Sequence, residues 1–310
     1  MEIALIGFAA MLILVLVLRL PIAFAMALVG FVGFAYSAGM HASLALLGQI
    51  VADTPQDYSL SVLPLFILMG NFVSRAGLSQ ELYTASYAFL GHRRGGLAMA
   101  TIVACGGFAA ICGSSLATAA TMSKVAMPSM RKYGYADSLA TASIASGGTL
   151  GILIPPSVIM VIYGFLTETS IRDLFAAGFI PGFLGVALYM LAVQFTIMRR
   201  PQDGPRTERM PWPERWRALG GVWGTVLLFV VVIGGIYGGV FTPTEAAGIG
   251  AGGAFLMALL RGRLTVMSTL AILGETARTT AVLFAILMGA LMFSNFMTRT
   301  GLPDALQKFI

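Results

Sequence analysis

Seven stretches of the chain, 3–18, 22–38, 60–74, 174–198, 219–240, 243–260 and 279–298, are almost continuously apolar and are set off by polar or charged positions. Apolar runs of about 20 residues match the ~30 Å hydrocarbon core of a bilayer, so these stretches predict membrane-crossing helices. Pro21 and Pro243 each open one, at the first-turn position where a missing N–H breaks no helical bond. Segments 41–57, 79–90 and 265–278 mix apolar with polar positions and predict helices lying in the interface plane.

Between 97 and 168 the pattern changes. Residues 97–130 are apolar, but Gly113-Ser114-Ser115 divides them into two arms of about 15 residues. At ~1.5 Å per residue each arm reaches ~22 Å, short of a full crossing. The arms are expected to enter and return on one side as a re-entrant hairpin. A non-helical tip at membrane depth is tolerated only when buried in protein or lining a wet cavity. Further on, an apolar helix runs into Gly147-Gly148-Thr149-Leu150-Gly151-Ile152-Leu153-Ile154-Pro155-Pro156-Ser157 and another leaves it. Pro156 has no N–H and pushes Pro155 out of the helical region. The helix over 137–168 must break mid-membrane.

Two readings of these residues stand side by side. Ser114, Ser115, Thr118, Thr121 and Ser123 are small residues of the kind that lets membrane helices pack closely. As a cluster at a hairpin tip, their hydroxyls and freed carbonyls can also coordinate a cation, and open helix N-termini attract an anion. The break at 148–156 is either a proline kink filled by side chains and water, or an ion site of the type built from half-helix ends. Lys124, the one charge inside the hairpin, is expected to snorkel to the surface, with attraction of an anion as the alternative.

Composition narrows the class without choosing the chemistry. The 310 residues are 58% hydrophobic and 10% charged, against about 25% charged in a soluble domain. The net charge of +6 does not point to nucleic acid. Arg199, Arg200, Arg206, Arg209, Arg215 and Arg217 share one short loop, the placement that orients a membrane protein with its basic loops in the cytoplasm. Cys105 and Cys112 lack further ligands for zinc and are expected to pack. A serine hydrolase needs a base near its nucleophile, and no histidine lies in a predicted span. No phosphate-binding loop occurs. Glu245 is the one acidic residue near a span that could serve a proton path.

Residues 71–78, Asn-Phe-Val-Ser-Arg-Ala-Gly-Leu, return at 295–302 as Asn-Phe-Met-Thr-Arg-Thr-Gly-Leu. Pro21 and Pro243 stand at nearly the same separation as Arg75 and Arg299, which argues for a duplication. Five passes separate the two prolines, so the second copy is expected to be inverted, a hallmark of secondary transporters. That count puts Arg19, Arg75, Arg93, Arg94, Arg131, Lys132, the 199–217 loop, Arg261 and Arg263 on the cytoplasmic side, with Arg172, Arg299 and Lys308 as exceptions. Matching the copies sets residue 310 against residue 86, and 87–198 have no counterpart. The expectation is an all-α integral membrane protein, a polytopic helical bundle with inverted repeats, a re-entrant helical hairpin and a broken transmembrane helix. Its first inverted repeat covers 1–200: scaffold helices in 1–91, hairpin 97–130, broken helix 137–168 and a span at 174–198. A cytoplasmic loop at 199–217 and an incomplete second repeat at 218–310 complete the division.

At 112–118 (Cys-Gly-Ser-Ser-Leu-Ala-Thr), 127–130 (Met-Pro-Ser-Met), 133–135 (Tyr-Gly-Tyr) and 148–157, the sequence resembles the large membrane subunit of tripartite ATP-independent periplasmic (TRAP) transporters. The likeness runs over essentially the whole chain and includes Arg19-Leu20-Pro21-Ile22-Ala23. It implies sodium-driven uptake of small organic acids, such as dicarboxylates or sialic acid, across the bacterial inner membrane by an elevator movement. It implies a small four-helix membrane subunit and a periplasmic substrate-binding protein as partners, sodium as the coupling ion, and no other cofactor. Carried onto this chain, Ser114, Ser115, Gly148, Thr149, Gly151 and Pro155 frame a sodium site. Gly113, Ser114, Ser115, Thr118 and Pro156 frame one side of the substrate pocket. The family's second hairpin and second broken helix have no match here, so the chain by itself is expected not to transport. The contrasting expectation is a structural or passive channel-type membrane subunit without a coupling-ion site.

Overall fold

Glycine, proline and polar clusters cut the apolar sequence into helices close to the expected places. The computed structural model describes residues 2–303 and Gln307, and among these stand fourteen α-helices and no strand. Lys308 lies outside the described residues. The chain divides into two compact units, one holding the segment up to Leu60 with the stretch from Ala277 onward, the other Ser61–Thr276.

In the first unit, α1 (Glu2–Leu16) and α2 (Ile22–Ala38) close on the C-terminal half of α14 (Val266–Arg299). Gly7 and Gly33 face the Phe296 ring; a Cβ on Gly33 would stand 2.5 Å from it. Gly30 lies against the backbone of Met292 and Phe293, where a Cβ would come within 2.6 Å. Such small residues let helix axes approach where lipid supplies no hydrophobic drive. Gly39, at φ 93°, turns the chain from α2 into α3 (Met40–Asp53). With 15 and 17 residues, α1 and α2 fall below the length of a regular span.

The second unit is built around α6 (Gly96–Cys112), most of whose residues are buried. Against it pack α5 (Leu78–Leu90), α8 (Asp137–Thr149) and α10 (Ile171–Arg199). Alongside, α4 (Val62–Arg75) lies on α13 (Pro243–Leu260). Met69 occupies the space that Gly250 leaves, and Phe72 meets Phe255 edge-on at 5.3 Å. Just past α13, Arg261 pairs with Glu81 at 2.7 Å and donates to the Ala76 carbonyl.

Two expectations are corrected. Residues 265–278 do not form a separate interfacial helix; they open α14, which runs 34 residues without a break because no proline interrupts it. The stretch 219–240 is not one straight span: α11 (Trp212–Gly221) and α12 (Trp223–Tyr237) meet at a 43° bend. The 199–217 segment carries a 3-10 turn at Pro201–Asp203 and runs into α11. Its backbone ties the bases of neighbouring helices through Gly95 N–H to the Gly204 carbonyl (2.9 Å) and Ala136 N–H to the Asp203 carbonyl (3.0 Å). Arg215, only 3% exposed, lies over the Phe89 and Trp212 rings and donates to the Met210 carbonyl.

By length and apolarity, Tyr58–Arg75, Ile171–Arg199, Pro243–Leu260 and Val266–Arg299 can each cross a membrane, and the bent Trp212–Tyr237 pair makes a fifth. The protein is multi-pass.

Candidate functional site

The hairpin forms as the sequence implies, though its arms are longer. They are α6, of 17 residues, and α7 (Ser115–Lys132), of 18, or about 26 and 27 Å at ~1.5 Å rise. Gly113 ends α6 in the left-handed conformation, φ 65°, which costs a glycine nothing. Ser114 is extended and caps α7, its hydroxyl accepting from the Ala117 N–H. Serine suits this position because its oxygen satisfies one of the open N–H groups of the first turn. The base of the hairpin is tied to α8 by Arg131, which pairs with Asp137 at 2.9 Å.

The broken helix is α8, a short 3-10 turn at Leu150–Ile152, an unwound stretch, and α9 (Val158–Leu166). Ser157 caps α9 as Ser114 caps α7: its hydroxyl accepts from the Met160 N–H and donates to the Ile152 carbonyl at 2.9 Å. Pro155, Pro156 and Ser157 are buried.

The tip sits directly on the break. The Val158 N–H donates to the Gly113 carbonyl at 3.2 Å. A Cβ on Gly113 would lie 2.6 Å from the Pro156 carbonyl oxygen. On Gly151 it would lie 2.6–2.8 Å from the backbone of Ser114 and Ser115, and on Gly148 2.8 Å from Ala119. Glycine at 113, 148 and 151 is what allows backbone to approach backbone here. Around this contact the carbonyls of Ile154, Pro155 and Pro156 accept no hydrogen bond from the described residues, and that of Pro156 faces Gly113. Proline supplies no N–H, and the helix around them is unwound. Carbonyls on buried residues such as Ile154, Pro155 and Pro156 call for a partner, and the capped N-termini of α7 and α9 both begin at this contact.

Of the residues singled out from sequence, Gly113, Ser114, Ser115, Gly148, Gly151, Pro155 and Pro156 come together in this contact. Two do so differently. Thr118 is fully buried and its hydroxyl donates to the Ser114 carbonyl at 2.7 Å, so it braces the tip from inside α7. The Thr149 hydroxyl donates to the Ser146 carbonyl and meets the Tyr189 hydroxyl of α10 at 2.9 Å. Sequence reasoning missed Tyr189, which lies forty residues on with no local pattern to mark it. It also passed over the capping role of Ser157, although the likeness of Gly-Ser-Ser and Pro-Pro-Ser was readable. Cys105 and Cys112 are buried free thiols that fill the space opposite Gly147 and Gly70. Glu245 forms a capping box with Thr242 at the start of α13; that pairing fixes the helix end.

Comparison with known proteins shows the family. A family model described as the tripartite ATP-independent periplasmic transporter, DctM component, matches residues 9–310. The chain is 36% identical over 261 residues to a C4-dicarboxylate TRAP transporter large permease protein of Pseudomonas aeruginosa, covering 83% of this chain and 60% of the relative. It is 34% identical over 292 residues to the ectoine TRAP transporter large permease of Halomonas elongata, covering 94% and 68%. To the sialic acid TRAP transporter large permease of Vibrio cholerae it is 34% identical over 255 residues, covering 82% and 59%. The chain thus spans about 60% of the length of the first of these relatives.

Proposed function

We propose, since the chain belongs to the DctM component family of tripartite ATP-independent periplasmic transporters, that it carries the first half of the transport machinery of a sodium-coupled carrier for small organic acids. The observation that carries this reading is the seating of the Gly113-Ser114-Ser115 tip on the break at 150–157, where the Ile154, Pro155 and Pro156 carbonyls accept no hydrogen bond from the described residues. A sodium ion held there by carbonyl and serine oxygens would complete the hydrogen-bond-deficient backbone. Ser114, Ser115, Gly148, Gly151 and Pro155 supply the frame for the ion. Gly113, Ser115 and Pro156 form one wall for a carboxylate facing the N-terminus of α7. Thr118 and Thr149 act one step back, holding the Ser114 carbonyl and the end of α8.

Relatives named for dicarboxylates, ectoine and sialic acid support the organic-acid class for this chain. The family's description as one component of a tripartite system supports delivery by a periplasmic binding protein and pairing with a small membrane subunit. The basic residues at the helix ends near 93–94, 131–132 and 199–217 support an inner-membrane orientation with those ends in the cytoplasm. The interleaving of the two sequence copies supports a duplication: α2 of the first meets the end of α14 from the second, and α4 of the first meets α13 of the second.

The test is uptake. The permease, at the length its relatives have, is reconstituted with its small subunit and binding protein, and labelled organic acids are supplied with or without an inward sodium gradient. Uptake that needs both sodium and the binding protein, and that falls in Ser114→Ala/Ser115→Ala, is the expected result. Uptake indifferent to sodium removes the ion-site reading.

A further inference from the structure

A cleft of about 470 Å³ opens between α4, α7 and the first turns of α14, beside the hairpin and distinct from the tip contact. Its inner end is walled by Gly70, Phe108 and Cys112, the last standing next to the tip glycine. Ala117, Ala120, Thr121 and Lys124 line it along α7, the spacing of a single helix face. That face carries the cleft about 10 Å from the level of the tip toward the hairpin base. There the lining becomes Arg75, Lys124 and Arg263.

Charge sets this cleft apart. Its one lining carboxylate, Glu275, faces three cations. The ion pairs among the described residues are Arg131–Asp137 and Arg261–Glu81, and none of the three cleft cations makes a hydrogen bond to a described residue. Arg261, two positions before Arg263, is neutralised by Glu81 at 2.7 Å. The fold pairs the arginine that packs between helices and leaves unpaired the one that faces the cleft. Polar groups continue the lining: Asn71 donates to Thr276 at 2.9 Å, and Ser74 meets Thr121 at 3.4 Å across the gap between α4 and α7. Unpaired cations of one sign on the walls of a cleft raise the positive potential within it, and Arg with Lys suits carboxylate recognition.

We propose that this cleft is a second anion-binding station, which takes a small dicarboxylate from the tip region and holds it between Arg75, Lys124 and Arg263. The source of the anion rests on the carrier reading above; the charge of the cleft does not. Three cations against one carboxylate favour a dianion over a monoanion. Lys124 is thereby a ligand of the cleft.

The experiment places a thiol in the wall. Ala120 is exposed and lines the cleft, whereas the native Cys105 and Cys112 are buried, so the unsubstituted chain gives the background. The purified Ala120→Cys chain is treated with an anionic reagent (sulfonatoethyl methanethiosulfonate) or a cationic one (trimethylammonioethyl methanethiosulfonate). The expected result is a rate preference for the anion of about tenfold or more, the low end of what focused fields produce. The preference falls stepwise with Arg75→Gln, Lys124→Gln and Arg263→Gln, and succinate slows the anionic reagent in the parent but not in the triple variant. All three cations are exposed, and an unchanged gel-filtration profile confirms the fold of each variant. A rate ratio near one in the parent, a ratio that ignores the substitutions, or succinate protection that survives loss of all three cations overturns the proposal. The uptake assay reads the carrier separately: charge-dependent labelling with sodium-independent uptake keeps the station and removes the coupling ion.

Discussion

Gly151→Ala is the sharpest probe of the tip contact. An added Cβ would stand 2.6 Å from the Ser114 carbonyl oxygen, 2.7 Å from its carbon and 2.8 Å from the Ser115 nitrogen. All three atoms are backbone, so no side chain can swing away. Bringing 2.6 Å out to the 3.4 Å of ordinary contact moves the tip about 0.8 Å. Overpacking of this kind costs about 1–3 kcal/mol. The larger consequence is for ion binding, because metal–ligand distances tolerate only about ±0.2 Å. A tip displaced by several times that amount cannot close a site with the 150–157 carbonyls. The assay is thermal unfolding of the purified chain in sodium chloride against choline chloride. The unsubstituted chain is expected to gain stability from sodium, about 2.7 kcal/mol at a hundredfold excess over the dissociation constant. Gly151→Ala should unfold at lower temperature in choline and lose the sodium increment. Gly220→Ala is the control: nothing lies within 4 Å of that position, and alanine in a helix gains about 0.5–1 kcal/mol over glycine. A Gly151→Ala chain with native stability and a native sodium increment would refute the argument.

Other perturbations separate bracing from binding. Thr118→Val keeps shape and removes the hydroxyl bond to the Ser114 carbonyl; that carbonyl retains the Thr118 N–H, so the loss should stay near 0.5–1 kcal/mol, and an unchanged unfolding midpoint would show that the clip does nothing. Glu81→Gln leaves the partly buried Arg261 without its counter-charge and should cost about 1 kcal/mol after allowance for solvent, read as a lowered midpoint that adding salt does not restore. His92, outside the spans, has its pKa lowered by burial and by the charges of Arg215, Arg209, Arg93 and Arg206. A depressed folded pKa means its contribution is present above the unfolded value of about 6.5 and is lost as pH falls through the folded one. Stability should therefore drop as pH falls below about 6.5, and His92→Gln should flatten that drop; an equal drop in the variant assigns it elsewhere.

The hairpin, the break and the long spans were legible because each is dictated locally. Gly113-Ser114-Ser115 interrupts an apolar run, and Pro155-Pro156 cannot continue a helix; each signal lies within a few residues of its effect. What the sequence could not show is which distant backbone each local feature would meet. Nothing local to Gly151 says that the Ser114 backbone will stand against it, and nothing local to Thr149 points to the Tyr189 hydroxyl it meets. The backbone ties of the 199–217 segment are hidden for a related reason. Its arginines mark a membrane-flanking loop by charge, but Gly204 and Asp203 spend their carbonyls on helix bases that only the tertiary fold brings near. The cleft cations show the limit most clearly. Arg261 and Arg263 are two residues apart with similar surroundings in sequence, and one is paired while the other faces open space. Pairing is set by which side of the α13 terminus Glu81 approaches, a matter of helix packing with no counterpart in local pattern. Charge that composition alone would assign to membrane orientation therefore divides into two kinds in the fold: arginine that holds helices together, and arginine left available to an anion.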